Sequence, residues 1–151
     1  MGDPADTYNW RRLDERLTTS GQPTEDQLRA IAQLGVDTVV NLGLHTHLKA
    51  LPDERASVTA LGMDYVHQPV EFQNPTAADL ARFCDLMDRL QGRTVHVHCI
   101  ANWRVSAFLY RYRIERLGWD EAKARADLDA IWTPEGPWAA IVEGPRPNAL
   151  K

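Results

Sequence analysis

The sequence predicts an α/β fold with three layers: a central, mostly parallel sheet of four to five strands with helices on both faces. The stretch from Val95 begins with β-branched residues, and from Ser106 onward apolar residues recur every three or four positions. That change of period indicates a buried strand that leads directly into a helix. Residues 36–42 contain the pair Val39-Val40, which is typical of a strand buried on both faces, as in a parallel sheet.

The predicted elements follow from capping residues and from glycines. Thr24-x-x-Gln27 and Thr76-x-x-Asp79 have the spacing of helix-starting capping boxes, and a glycine commonly follows the last turn of a helix. In chain order we predict an edge strand over residues 10–19, a helix from Thr24 to Gly35, a strand over 36–42, a helix over 53–61, a strand over 63–70, a helix from Thr76 to Gly92, a strand from Thr94, a helix from Arg104 to Gly118 and a last helix from Asp120 to about Trp132.

The chain of 151 residues is long enough to bury one core, so we expect a single domain. That domain covers residues 10–132. Residues 1–9 are predicted to be a flexible N terminus. Residues 133–151, with their repeated prolines and glycines, are predicted to be an irregular tail that packs on the domain through Trp138, Ile141 and Val142.

Composition limits the classes of partner. A formal charge of −4 argues against a protein that binds nucleic acid or a membrane surface. The acidic start lacks the apolar core of a signal peptide. Two cysteines give no disulfide framework, and Cys84 lies on the apolar face of a predicted helix, so we expect a reducing, cytoplasmic location. The sequence predicts no oligomeric state.

Cys99 lies where the predicted strand turns into the helix, and it is the strongest candidate for a catalytic residue. Unpaired N–H groups and the positive end of the helix dipole favour its thiolate form and also bind anions. Arg104 can hold two oxygens of a phosphate at once. We therefore predict a phosphate-binding loop in which Arg104 is joined by the backbone N–H groups of Ile100, Ala101, Asn102 and Trp103.

A signature around Cys99 and three short segments resemble known protein families. His98-Cys99 with Arg104 and Ser106 resembles the signature of cysteine-dependent tyrosine and dual-specificity phosphatases. The segments 19–23, 39–42 and 101–108 resemble small bacterial phosphatase-like domains. The resemblance runs from about Trp10 to Leu117 and implies a phosphatase-like fold. The present loop departs from the signature, since it has four residues between cysteine and arginine instead of five and lacks the glycine. Asn102 is the best substitute for that glycine, because asparagine tolerates a positive φ.

The resemblance implies a hydrolase of phosphate monoesters, phosphotyrosine-like, that forms a thiophosphoryl intermediate on Cys99. Its expected partners are a phosphorylated protein or a small phosphate monoester, with phosphate, sulfate or vanadate as oxyanion ligands. Glu71 is the candidate general acid, because the loop after the strand over 63–70 has no aspartate. Ser106 is expected to donate a hydrogen bond to the sulfur, and His98 to orient the loop.

Two other functions stay open at this stage. Rhodanese-like sulfurtransferases have a shorter loop, which suits a Cys99 persulfide. A catalytically silent phosphate-binding module would explain the missing aspartate and glycine. A zinc site at His45-x-His47, with His96 or His98, is the less favoured interpretation, because loop histidines are commonly solvated and a metal needs three or four ligands. We therefore expect no metal and no cofactor.

Overall fold

The computed structural model describes residues 2–145, which form five strands and six helices. In chain order these are β1 (Arg11–Asp14), β2 (Leu17–Ser20), α1 (Glu25–Gln33), β3 (Thr38–Asn41), α2 (Glu54–Ala60), β4 (Asp64–His67), α3 (Ala77–Arg89), β5 (Val95–His98), α4 (Trp103–Glu115), α5 (Glu121–Asp129) and α6 (Pro137–Glu143).

The strands form one sheet in the order β1-β2-β5-β3-β4. Strand β5 is the middle strand and runs parallel to both β2 and β3, and β4 runs parallel to β3. Strand β1 pairs with β2 in the antiparallel direction at the edge. The predicted α/β fold with a mostly parallel five-stranded sheet is confirmed. Cys99 directly follows the middle strand, where sheets of this kind bind their ligands.

Two apolar cores cover the two faces of the sheet. Val39 packs with residues of α1 and α2, whereas its neighbour Val40 packs with residues of α3, α4, α5 and α6. Alternate side chains of a strand point to opposite faces, so β3 is buried on both sides. Strand β5 shows the same alternation, because Val95 and Val97 belong to the same core as Val40, on the side of α3 to α6. Its histidines His96 and His98 therefore face α1 and α2.

The prediction of one edge strand over residues 10–19 is wrong, because this segment is a hairpin of two strands. The chain turns after Asp14, whose side chain accepts a hydrogen bond from the backbone N–H of Arg16 at 2.8 Å. Short acidic side chains stabilise turns by such bonds to nearby backbone. The second strand, β2, then pairs with β5 in parallel, which brings Ser20 opposite His98.

The predicted helix starts are confirmed by their hydrogen bonds. Thr24 and Gln27 form a reciprocal capping box, with the Thr24 hydroxyl accepting from the Gln27 N–H at 3.1 Å. Thr76 and Asp79 form a second one at the start of α3. Asp120 caps α5 through the N–H of Lys123. Each capped helix therefore begins where local sequence signals place it.

The two ends of the chain carry more structure than the sequence indicates. Thr7 is buried, and the carbonyl of Tyr8 accepts a hydrogen bond from the Gly21 N–H at 2.7 Å. The flexibility of residues 1–9 stays a prediction, but part of this segment has a defined place against the domain. The expectation of a wholly irregular tail is wrong, because α6 forms within it and buries Trp138. Residues 146–151 of the predicted tail lie outside the described residues.

The longest helices of residues 2–145, α3 and α4, have 13 residues each. None of the helices in this part of the chain has the length and apolar character needed to cross a bilayer.

His96 is a fully buried histidine whose hydrogen bonds fix its tautomer. The hydroxyl of Ser20 donates to its neighbouring Gly21 carbonyl and must therefore accept from His96 Nε2, at 2.8 Å. The other ring nitrogen, Nδ1, then accepts from the hydroxyl of Thr18, also at 2.8 Å. Burial lowers the pKa of His96 well below its ordinary value, and the nearby His98 acts in the same direction. His96 is thus a neutral structural residue.

The buried neutral state of His96 predicts a loss of stability in acid. Below pH 6.5 the unfolded chain takes up a proton at this histidine that the folded chain does not, so the free energy of unfolding falls as the pH decreases. The contribution of one such group is at most about 1.4 kcal/mol per pH unit. Urea unfolding at pH 7, 6 and 5 measures it. We expect a shallower pH dependence for His96→Gln than for the wild type, and equal slopes would contradict the assignment.

Candidate active site

Cys99 lies at the base of a short loop between β5 and α4, which we call the cysteine loop (residues 99–104). The thiol is fully buried, and the backbone N–H of Cys99 donates to the carbonyl of Ser20 on β2 at 3.4 Å. Helix α4 begins at Trp103, four residues after Cys99. This arrangement is the predicted one of a cysteine between a buried strand and a helix.

Asn102 has a left-handed backbone conformation, with φ of 67° and ψ of 9°. Its side-chain amide donates to the carbonyl of Asn9 at 2.9 Å and to the hydroxyl of Thr19 at 3.0 Å, which holds the residue in place. Because this side chain makes no capping hydrogen bond to α4, the first N–H groups of the helix stay available. Asn102 therefore has the positive φ for which the sequence predicts it as a substitute for glycine.

All four carbonyl groups between Cys99 and Asn102 are bonded on the outer side of the cysteine loop. In chain order they accept from His98 Nδ1 at 2.9 Å, from the Gln22 backbone N–H at 3.0 Å, from Asn9 Nδ2 at 2.8 Å and from the Ser106 backbone N–H at 3.0 Å. A trans peptide directs its N–H opposite to its C=O, so the N–H groups that follow these carbonyls point to the inner side.

These inward N–H groups have no acceptor. Within residues 2–145, the backbone N–H groups of Ile100, Ala101, Asn102, Trp103 and Arg104 make no hydrogen bond. Successive N–H groups that point to one side form a concave anion-binding site. The predicted backbone donors are thus without an acceptor in this part of the chain, and their role in binding phosphate stays a prediction.

Arg104 adds a positive charge to the cysteine loop. Its side chain is 6% exposed, its Nε donates to the carbonyl of Val70 at 2.9 Å, and its guanidinium lies 5.2 Å from the centre of the Phe72 ring. No carboxylate of the described residues pairs with it. Burying a charge without a partner costs free energy, so a bound anion that pairs with Arg104 would stabilise the site.

The segment that follows β2 supports the cysteine loop from below. At Gly21 a Cβ atom would overlap with the carbonyl oxygen of Ile100, so only glycine allows this close approach. The next residue, Gln22, donates its backbone N–H to that same carbonyl. Gly21 and Gln22, which belong to a segment that resembles phosphatase-like domains, thus hold the Ile100 carbonyl in place.

A buried acid–histidine pair supports the other side of the loop. Glu54, on the first turn of α2, is 2% exposed, and its Oε2 lies 2.5 Å from His98 Nε2. Burial raises the pKa of Glu54, but the charge and hydrogen bond of His98, together with the hydrogen bond from Gln22, outweigh it and lower the pKa below its ordinary value. Sequence reasoning missed Glu54, because an acidic residue in a first helical turn is ordinary.

An open cleft of about 330 Å³ lies beside the cysteine loop. It is lined by His47, Phe72, Gln73, Ile100, Ala101, Trp103 and Arg104. Trp103 is 37% exposed, stacks on Trp132 with ring centres 4.7 Å apart, and lies 5.7 Å from the Phe72 ring. Trp103 therefore both lines the cleft and packs against the rest of the domain.

Ser106 and Glu71 are the other two residues with a predicted catalytic role. Ser106 does not hydrogen-bond to the Cys99 sulfur, because its hydroxyl donates to the Trp103 carbonyl at 3.2 Å and accepts from Trp132 Nε1 at 3.1 Å. Glu71 is exposed and is not among the residues that line the cleft, since its neighbours Phe72 and Gln73 take that place. Their catalytic roles stay predictions.

The histidines of the loop after β3 lie in different surroundings. His45 stacks on His67, with ring centres 3.7 Å apart, and its Nε2 lies 2.8 Å from the Tyr65 hydroxyl. His47 faces the cleft instead. Across residues 2–145 there is no group of three or more His, Cys, Asp or Glu side chains that could hold a metal ion.

The close approach at Gly21 predicts a specific sensitivity of the cysteine loop. Gly21→Ala should displace the Ile100 carbonyl, and hence the Ala101 N–H, and lower the free energy of unfolding by about 1–3 kcal/mol, as overpacking does. Gly43→Ala is the matched control, because its Cβ would lie 3.2 Å from both Asn41 Oδ1 and Ile100 Cδ1, and its three nearest contacts are side-chain atoms rather than the backbone of the loop. Urea unfolding and titration with inorganic phosphate measure both effects. Equal phosphate affinity in the two variants would refute the role of Gly21.

Comparisons with known proteins agree with this geometry. A family model described as DSP-PTPase phosphatase fused to NAD+ kinase matches residues 4–132. A DUF442 phosphatase from Shewanella putrefaciens is 35% identical and superposes with a TM-score of 0.82, covering 93% of this chain and 92% of that chain. The phosphatase-like fold is thereby confirmed.

More distant relatives share the fold or part of the sequence. P. aeruginosa TpbA, solved in complex with pTyr, superposes with a TM-score of 0.75 at 21% identity, covering 99% of this chain and 91% of that chain. A "Beta-lactamase hydrolase-like protein" of Agrobacterium fabrum is 31% identical over 91 residues, which are 58% of this chain. The match spans only 21% of that relative's length.

A match over residues 4–132 covers most of the 151 residues. The chain therefore belongs to the family described as DSP-PTPase phosphatase fused to NAD+ kinase, among the cysteine-dependent tyrosine and dual-specificity phosphatases.

Proposed function

We propose that this chain hydrolyses phosphate monoesters, with a preference for aryl esters such as phosphotyrosine, through a thiophosphoryl intermediate on Cys99. One observation carries the proposal: the N–H groups of five successive residues after Cys99 have no acceptor within residues 2–145, and the last of these residues, Arg104, has no carboxylate partner there. A cysteine nucleophile needs reducing surroundings, so a cytoplasmic location is part of the proposal.

In the first chemical step the Cys99 thiolate attacks phosphorus in line with the leaving oxygen. The new S–P bond forms as the P–O bond breaks, and the departing oxygen keeps the electron pair. Arg104 and the loop N–H groups neutralise the equatorial oxygens, whose charge is stabilised by preorganised donors. In the second step water attacks the phosphorus, the S–P bond breaks, and inorganic phosphate and the thiolate are released.

The cleft supports a preference for aromatic esters. Trp103 and Phe72 form an aromatic wall beside Arg104, and aromatic rings pack favourably at the separations of 4.5–7 Å that this wall allows. The complex of TpbA with pTyr is consistent with such a substrate, although the likeness to that protein concerns the fold.

The leaving group limits the range of esters. An alkoxide needs a proton as it departs, and a general acid typically contributes about 10²–10⁴-fold to such a step. Glu71 remains our candidate for this acid, and its exposed position suits it only if the bound ester reaches out of the cleft. A phenolate leaves more readily, which favours aryl esters again.

A sulfurtransferase is the second candidate, and the length of the cysteine loop favours it. Four residues between Cys99 and Arg104 make a tighter ring than the five of the phosphatase signature. In that case Cys99 would carry a persulfide. A silent phosphate-binding module would show neither activity.

The mechanism predicts how Cys99 and Arg104 variants behave. The wild type should release phosphate from an aryl phosphate and bind vanadate. Cys99→Ser should abolish release, since a hydroxyl cannot replace the thiolate, but should keep phosphate binding. Arg104→Lys should weaken phosphate binding by about 10-fold or more, because a point charge cannot replace the bidentate guanidinium. Phosphate release and calorimetric titration provide the measurements.

The competing functions give different outcomes in the same samples. Transfer of thiosulfate sulfur to cyanide, without phosphate release from any aryl ester, would overturn the phosphatase in favour of the sulfurtransferase. Phosphate binding without either activity would favour the silent module.

The aromatic wall predicts a selective effect at Trp103. Trp103→Ala should raise KM for an aryl phosphate more than for an alkyl phosphate, because only the aryl group loses a ring contact worth about 0.5–1.5 kcal/mol. Trp119→Ala is the control, since Trp119 packs between Arg113 and Lys123 away from the cleft. An equal rise in KM for both esters would show that Trp103 supports the loop and not the substrate.

A further inference from the structure

Glu54 is a buried carboxylate that reaches the cysteine loop by two routes. Its Oε2 lies 2.5 Å from His98 Nε2, and the other ring nitrogen of His98 lies 2.9 Å from the Cys99 carbonyl. Its Oε1 accepts from Gln22 Nε2 at 2.8 Å, and the backbone N–H of Gln22 donates to the Ile100 carbonyl. The first two carbonyls of the loop therefore depend on partners that Glu54 holds.

We infer that Glu54 is the positioning residue of the cysteine loop, acting through His98 and Gln22 to keep the N–H groups of Ile100 and Ala101 directed at the substrate phosphate. This inference rests on the proposed function, since it assigns a role in the same site. Glu54 itself touches neither the sulfur nor the anion position.

The donor and acceptor pattern explains why an acid is needed beside His98. A carbonyl only accepts, so His98 Nδ1 must carry a hydrogen to bond with Cys99 O. If Glu54 is ionised, its carboxylate accepts a hydrogen bond from a protonated Nε2, so both ring nitrogens carry a hydrogen. If Glu54 is protonated, its O–H donates to an unprotonated Nε2. In both proton distributions Nδ1 keeps its hydrogen. Without a partner at Nε2 the ring is free to take the other tautomer, which would present a lone pair to the carbonyl and release the peptide.

Stability alone does not account for this pair. A buried acid–base pair is often no more stabilising than apolar residues of the same volume, because both groups lose their hydration. Helix α2 already buries Val58 against the core of α1 and β3. The polar contacts of Glu54 lead to the cysteine loop, which is consistent with a role in the site.

Two substitutions of equal size separate hydrogen bonding from packing. Glu54→Gln can accept from Gln22 and donate to His98 Nε2, so it should keep the loop in place and retain most of the wild-type kcat. Glu54→Leu fills the same space without polar atoms. We expect it to lower kcat for an aryl phosphate about 100-fold, the usual cost of losing one oriented oxyanion donor, with a smaller change in KM.

The control is Val58→Ala on the same helix, which weakens packing without touching the loop and should leave kcat unchanged. All variants are compared at a temperature where each is folded by circular dichroism. Equal losses of kcat in Glu54→Gln and Glu54→Leu, or no loss in either, would overturn the inference.

Binding of inorganic phosphate separates this inference from the proposed function. Calorimetry should show an affinity about 10-fold weaker for Glu54→Leu than for Glu54→Gln, because a hydrogen bond to a charged group is lost. If the wild type binds phosphate but hydrolyses no ester, the proposed function fails and this comparison still tests Glu54. Equal affinities in the two variants would refute its positioning role.

Discussion

The site depends on one property of the peptide bond: its N–H and C=O point in opposite directions. Residues 99–102 of the cysteine loop lie outside the strands and helices, so the direction of the N–H groups that follow them is set by the groups that bond to their carbonyls. Those partners come from four parts of the chain: the N-terminal segment, the residues after β2, the end of β5 and the first turn of α4. The hydrogen bonds to the carbonyls on the outer side of the loop therefore direct the N–H groups on its inner side, which are the candidate anion donors.

The sheet topology brings these partners to one place. Strand β2 pairs with β5 so that Ser20 lies opposite His98, and the chain that leaves β2 then passes under Ile100. On the other side β3 pairs with β5 so that Asn41 lies opposite His98, and the chain that leaves β3 leads to α2 and Glu54. Parallel strands end at the same edge, so neighbours in the sheet supply the loop from both sides.

Because the partners of the loop come together only through the sheet, the sequence predicts some parts of the site and not others. The strand-to-helix change at Cys99, the capped helix starts and the left-handed Asn102 follow from local patterns, and the structure has them. Glu54 and Gln22 carry no such pattern, because their bonds join residues 32 to 44 positions apart and depend on the finished sheet. The expected Ser106 contact fails for a related reason, since Trp132 lies close enough to bind the hydroxyl.

The C-terminal segment, which the sequence predicts to be irregular, contains helix α6 and supports the cleft. Its prolines and glycines suggest an irregular tail, yet α6 buries Trp138, whose Nε1 donates to the Phe72 carbonyl at 2.7 Å. Trp132 stacks on Trp103 from the same side. Both residues of the aromatic wall, Trp103 and Phe72, are thus held by tryptophans that follow α5. A rigid aromatic wall loses little entropy when it binds a ring. Under the proposed function, such a wall favours aromatic esters, and their phenolate leaving groups depend less on the exposed candidate acid Glu71 than alkoxides would.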